Sequence, residues 1–305
     1  MTKSKIALLI NSIIILLSAV CCCFCFASKP IKEVEAASGS WADYTNSSIS
    51  GNGTSSNPYI IDSAAKFAYI SYAINNGISN YNTANYIQVA DIDLSDHYWN
   101  PMNTFAGVYD GYGFKITGIT GEASVNNFGL VSSLSGTWKN SGLSVSIDNR
   151  ANYDYSVAAL AVNTTSSSII DRCYVSGSIY VSTKGILKSN YVAGLVVDHY
   201  GTIKNCYSIA TLTATSRYLG NSGEIRTAGI ATNIFDGALI ENCYFAGNAT
   251  VKYGYWKVGG IVGKPAGGTI NNSAVLTGTC NQAGNIKNSF ISQQKDPIAQ
   301  LLLIV

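Results

Sequence analysis

The chain has 305 residues, enough for one large domain or two small ones. Only 12% of them are charged, while Gly (29) and Tyr (20) are abundant. That excludes a disordered chain, which would be charge-rich and poor in aromatics, and a formal net charge of +2 gives no case for nucleic-acid binding.

At the N-terminus, Lys3 and Lys5 precede an apolar run from Ile6 to Phe26 and then a small-residue stretch. This order predicts a secretory signal peptide over residues 1–36, with cleavage after Val34-Glu35-Ala36 or, as second choice, at Ala27. About twenty apolar residues also fit a retained membrane anchor, and that alternative stays open. Acylation at Cys21 fits less well, because Ser18-Ala19-Val20 lacks the Leu and the small residue expected before a lipidated Cys. Cleavage would leave four of the eight Cys, 15 of the 19 basic residues and 15 of the 17 acidic ones, a neutral chain.

Residues 37–60 are polar and Gly-rich, with turn signals at Asn52-Gly53 and Asn57-Pro58. A helix follows over about Ser63 to Asn76. Ser63 or Asp62 can cap it, Phe67, Ile70 and Ile74 fall at helical spacing, and Gly77 stops it. Tyr86 to Leu94 alternates like one strand. Phe105 to Ile119 reads as a hairpin-like pair around Asp110-Gly111.

Beyond residue 121 one phrase repeats. A short phrase ending in Gly or Ala (FG, AA, AG, AG and GG in turn) precedes Leu130, Leu160, Leu195, Ile230 and Ile261, which lie 30, 35, 35 and 31 residues apart. Between and after them stand KNSG at Lys139, IDRCY at Ile170, IKNCY at Ile203, IENCY at Ile240, INNSA at Ile270 and IKNSF at Ile286. A fixed period with elastic spacers marks a solenoid. Each period divides into three extended pieces, as in YVAGLVV, TIKNCYSI and ATLTAT from Tyr191 onward, which predicts an all-β parallel β-helix. A sandwich is the rival fold, and the common register of the two phrases argues against it. The domain reading is therefore a signal peptide over 1–36, an N-terminal cap and first coil or coils over 37–120, β-helix repeats over 121–290, and an irregular tail over 291–305 that looks interrupted. The helix and its acidic surroundings would cover the open core and edge of the first coil.

The phrases GNGTSSNPYII, SAAKFAYISYAIN, VADIDLSDHYWNPM and FAGVYDGYGFKITGI, in that order, resemble the start of bacterial secreted β-helix proteins carrying the GLUG motif. GGIVG (Gly259 to Gly263) matches that motif in full, while VAGLVV, TAGIAT and VAALAV lack its last Gly. The resemblance spans about residues 41 to 290. It implies a right-handed β-helix exported to the cell surface, often within an adhesin, and brings no catalytic residues with it.

Several residues invite a chemical reading. Cys173, Cys206 and Cys243 share a register with Ser141, Ser273 and Ser289, as expected of small buried side chains in a ladder. Neighbouring parallel positions rarely offer disulfide geometry, and neither His97 nor His199 has ligand-like spacing to them. Asn140, Asn205, Asn242, Asn272 and Asn288, with Arg172 in one place, predict a ladder of stacked amides. Asp91, Asp93 and Asp96 match a calcium loop in spacing only, so capping or turn roles are expected of them. Asp171, Asp198, Asp236 and Glu241 are the carboxylates that a polysaccharide-cleaving β-helix enzyme would draw on, but they flank turns and are not expected to share one register.

The spacers hold a different group: Arg150, Tyr153, Tyr155, Lys188, Tyr191, Arg217, Tyr218, Tyr253, Tyr255, Trp256 and Lys257. Stacked along the axis, they would form a basic, aromatic stripe able to hold an acidic glycan, a wall polymer or a host-surface polymer. The expectation is a secreted or cell-surface binding or structural module, adhesin-like and non-enzymatic. It would need no cofactor or metal and would meet a membrane only through an uncleaved signal segment. A polysaccharide lyase or glycoside hydrolase, and a passive stalk, are the alternatives.

Overall fold

The structure is a computed structural model that describes residues 38–150, 153–184, 187–216, 223–252, 255–275 and 280–283. The signal segment, the IKNSF phrase with Ser289, and the tail over 291–305 lie outside the described residues. Among the described residues the strands form four sheets, and every strand ladder in them is parallel. The chain is a parallel β-helix of about five turns with one α-helix in its N-terminal part.

One coil shows the plan. Asn190–Ala193 lies in the first sheet, Val196–His199 in the second, Thr202–Lys204 in the third, and Tyr207–Ser208 with Thr211–Ser216 in the fourth. The coil therefore has four sides, where the sequence suggested three pieces. YVAGLVV is cut at Gly194-Leu195, and TIKNCYSI is cut at Asn205-Cys206. Gly194 packs so closely that a Cβ there would stand 1.9 Å from the Gly229 carbonyl oxygen of the next coil. Leu130, Leu160, Leu195, Ile230 and Ile261 follow these small residues, and all are buried.

The second corner is made by residues at positive φ: Asn140 (54°), Arg172 (52°), Asn205 (55°), Asn242 (52°) and Asn272 (44°). Asn visits the left-handed region more easily than other residues with a Cβ, so the repeated Asn is a corner requirement. Its amide also bonds along the axis: Asn140 Nδ2 donates to Asp110 Oδ1 (2.8 Å), Asn205 Nδ2 to Asp171 Oδ1 (2.8 Å), and Asn242 Nδ2 to Asn205 Oδ1 (3.3 Å).

The turn at Asp110-Gly111 is another corner, with its positive φ at Tyr112 (51°), and not the tip of a hairpin. Val108–Asp110 pairs with Asn85–Gln88 and Thr137–Lys139, while Lys115–Ile119 sits in the fourth sheet against Ile92–Asp93 and Gly142–Asn149. Asp-Gly makes either turn, and only the distant partners decide between them. Tyr86 to Leu94 divides in the same way, at residues 89–91. Asp91 Oδ1 accepts from Lys115 N–H (2.8 Å) and Asp93 Oδ1 from Ser95 N–H (3.0 Å), both of them backbone-supporting roles.

Helix α1 (Ala64–Asn75) closes the first coils. Ser63 is its N-cap by backbone, without a side-chain cap bond; Asp62 pairs instead with Lys66 at 2.8 Å. Phe67 enters the solenoid end, with its ring 4.8 Å from Trp99, 5.7 Å from Tyr109 and 6.4 Å from Trp138. The inward column of the third sheet runs Tyr86, Tyr109, Trp138, Ile170, Ile203, Ile240, so its large aromatics stand where the helix covers it. Asn75 covers backbone at the second sheet's first strand: Nδ2 donates to Pro101 O (3.0 Å) and Oδ1 accepts from Asn103 N–H (2.8 Å).

Candidate functional site

The thiol ladder is buried and structural. Cys173, Cys206 and Cys243 are not joined in disulfides and are no more than 1% exposed. Cys206 Sγ accepts the Cys173 N–H (3.3 Å), as Ser273 Oγ accepts the Cys243 N–H (3.1 Å). Burial pushes the Cys206 thiol well above its ordinary range, which disfavours the reactive thiolate. Cys280 lies in the strand Cys280–Ala283, opposite Ala249 and away from this ladder.

The spacer residues are more strand and less loop than the sequence suggested. Glu224–Ala228 and Tyr255–Gly259 are neighbouring strands, with Glu224 opposite Tyr255 and Ile225 opposite Trp256. Tyr155 is 0% exposed, so it is core and not part of a binding stripe. It occupies an inward position of Tyr155–Ala158, two residues before buried Val157. Tyr153 is 45% exposed and stands edge-on to Tyr155. Arg217, Tyr218 and Tyr253 lie outside the described residues, as do the side chains of Tyr255 and Trp256.

Four cations of this region, Arg150, Lys188, Arg226 and Lys257, have carboxylate partners among the described residues. Arg150 pairs with Asp148 and lies over the Tyr180 ring (4.7 Å); Lys188 pairs with Asp154 (3.2 Å). Arg226, which is buried, and Lys257 (3.2 Å) share Glu224, and Arg226 covers the half-buried Tyr191 ring at 4.8 Å. Burial opposes ionisation of Glu224, but these two cations outweigh it and hold its carboxyl below the usual range. At these four cations the positive charge of the stripe is thus compensated by neighbouring carboxylates.

A second aromatic array lies at the opening of the fourth sheet. Tyr174, Tyr207 and Tyr244 follow the buried Cys in each NCY phrase and point outward, half-buried, in one column. Their rings are parallel, with centroids 5.0 Å and then 4.8 Å apart. This matches the rise of one coil, about 4.8 Å. The column continues to Gly142 on one side and Ala274 on the other. Reading the NCY phrase as core hid these tyrosines, although strand alternation after a buried Cys points the next side chain outward.

Beside the column runs a ladder of alternating charge on the third sheet: Asp110, Lys139, Asp171, Lys204, Glu241. Lys139 pairs with Asp110 (3.1 Å) and Arg172 with Asp171 (3.1 Å). Burial opposes ionisation of Asp110, but bonds from Asn140, Tyr112 N–H and Lys139 hold its carboxyl below the usual range. Of the carboxylates considered for catalysis, Asp171 and Glu241 do share one register, contrary to expectation, because both follow the inward Ile of their third-sheet strands with Lys204 between them; Asp198 is in the second sheet, and Asp236 is exposed outside the strands.

A recess of about 410 Å³ opens at the Gly142 end of the tyrosine column. It is lined by Tyr112, Gly113, Asn140, Gly142, Arg172 and Tyr174. A Cβ at Gly142 would lie 2.5 Å from Cζ of Tyr174, so the tyrosine ring reaches over this glycine.

No protein-family model and no curated protein matches this chain. A solved structure does: a protein from Bacteroides ovatus named as a "putative immunoglobulin A1 protease", 19% identical, with a TM-score of 0.51 over 74% of this chain and 77% of that one. At this identity the likeness concerns the fold alone: both chains build a β-solenoid.

Proposed function

We propose that this chain is an exported, adhesin-like surface module that binds polysaccharide along the outside of its solenoid and does not cleave it. The observation that carries this reading is the outward column Tyr174, Tyr207, Tyr244, repeated at one ring per coil. Aromatic side chains present apolar surface with a polar hydroxyl edge, the combination that packs against sugar rings while bonding their hydroxyls. The signal-like N-terminus and the resemblance to GLUG-motif surface proteins support export. The spacer stripe is a secondary contact in this reading, since Arg150, Lys188 and Lys257 already have acidic partners.

A polysaccharide-cleaving enzyme on the same scaffold is the competing reading, and it would use the column Asp171, Lys204, Glu241. The Bacteroides neighbour's name suggests peptide cleavage instead, but only the fold is shared. The test is binding to an array of immobilised wall, plant and host polysaccharides, with the supernatant assayed for products. Binding with no product supports the proposal. New reducing ends or unsaturated sugars would establish the enzyme, and inertness in both assays would leave a stalk.

A further inference from the structure

Among the described residues, eight that are not glycine have positive φ, and five of these are Asn. The exceptions are Tyr112 (51°), Arg172 (52°) and Leu187 (63°). A large side chain in the left-handed region costs roughly 1–2 kcal/mol, and such strain concentrates at functional sites. Arg172 stands in a column that is otherwise Asn, where Asn would be easier to accommodate. Two of the three exceptions, Tyr112 and Arg172, line one recess.

The rest of the recess is arranged around them. Asp110 Oδ1 accepts from both Tyr112 N–H (3.0 Å) and Asn140 Nδ2 (2.8 Å), which fixes the turn carrying Tyr112. Tyr112 is 71% exposed, and Tyr174 contributes the end ring of the column. Gly142 takes the next column position without a side chain, which lets the Tyr174 ring lie directly over the backbone as one wall of the recess. Arg172 gives one guanidinium nitrogen to Asp171, yet its side chain stays 60% exposed, with further N–H groups directed to solvent.

From this geometry we infer that the recess is a subsite for one anionic sugar residue of a polysaccharide, with its ring between Tyr112 and Tyr174 and its acidic group on Arg172. The inference rests on the proposed polysaccharide binding and adds its charge preference. Planar guanidinium suits a carboxylate or a sulfate, and the recess falls within the usual range of ligand sites, about 300–1,000 Å³. Uronic acids and sulfated sugars share this chemistry.

The test is calorimetric titration of the full chain with a hexagalacturonate, a heparin hexasaccharide and a neutral cellohexaose. Arg172→Asn restores the residue of the neighbouring corners, so its unfolding midpoint should match or exceed that of the parent. Expected is binding of one anionic hexamer at least tenfold tighter than cellohexaose, with that preference lost in Arg172→Asn and the neutral affinity unchanged. Preference for hexagalacturonate identifies a carboxylate ligand, and preference for heparin a sulfate. Equal affinity for neutral and anionic hexamers, or an anionic preference that survives Arg172→Asn, overturns the subsite while leaving polysaccharide binding standing. Failure of all three to bind overturns both.

Discussion

Thr164 Oγ1 lies 3.0 Å from His199 Nδ1, one coil further along the solenoid, and fixes the state of a buried imidazole. His199 Nε2 faces the Leu239 carbonyl oxygen (3.2 Å), so Nε2 carries the hydrogen and donates. Nδ1 then accepts from the Thr164 hydroxyl, whose oxygen in turn accepts the Tyr200 N–H (2.9 Å). The neutral ring is satisfied on both sides.

Burial lowers the His199 pKa from 6.5 to about 4. The unfolded chain therefore binds this proton at higher pH than the folded one does. Its effect on stability is absent well above pH 6.5, grows as pH falls from 6.5 to 4, and is complete below 4. The expected loss at pH 5 is about 2 kcal/mol, measured by urea unfolding at pH 7.5 and pH 5. A His199→Gln variant should lose this part of the pH dependence; an identical slope in both proteins would refute the assignment.

The Cys ladder predicts an inverted order of substitutions. Ser at Cys206 can still accept the Cys173 N–H, as Ser273 does for Cys243 one coil on. Ala cannot, and leaves that buried donor without a partner. Cys206→Ser is expected to be the more stable variant, and Cys206→Ala to cost about 1–3 kcal/mol. Thermal unfolding of both decides it, and a more stable Ala variant would contradict the bond.

Helix α1 should act as a plug whose loss spreads along the coils. Phe67→Ala is expected to cost about 3–5 kcal/mol, because the side chain fills the core end beside Trp99, Tyr109 and Trp138. In a solenoid each coil contacts only its neighbours, so damage at the end frays inward. Hydrogen exchange should rise first at Met102–Phe105 and fall off toward later coils. Asn75→Ala should release the Asn103 amide alone, with little effect on the midpoint.

The solenoid was legible in the sequence because every coil must repeat the same inward residues. The buried Leu195 and Ile230 and the corner residues Asn205 and Asn242 are each set by one local requirement repeated along the chain. The corners were less legible. Asp110-Gly111 has the same turn chemistry in a hairpin and in a coil, and the choice depends on strands about one coil away. Tyr155 and Tyr153 flank Asp154 and look alike in sequence, yet alternation with Val157 buries only the first. The column Tyr174, Tyr207, Tyr244 was hidden for the opposite reason: its buried Ile and Cys neighbours made the whole phrase read as core. The recess was not legible, because Tyr112 and Arg172 are 60 positions apart and meet only through coil stacking.

The tyrosine column is the most direct point of attack on the proposed function. Tyr207 stands between Tyr174 and Tyr244, so Tyr207→Ala interrupts the column while Leu212 and the inward ladder keep their places. The decisive measurement is the affinity of Tyr207→Ala, against the parent chain, for the polysaccharide selected on the array, with unfolding followed in parallel. The account predicts a loss of roughly tenfold or more, about 1.4 kcal/mol, in a protein that still unfolds cooperatively. Undiminished affinity in a folded Tyr207→Ala protein would contradict it.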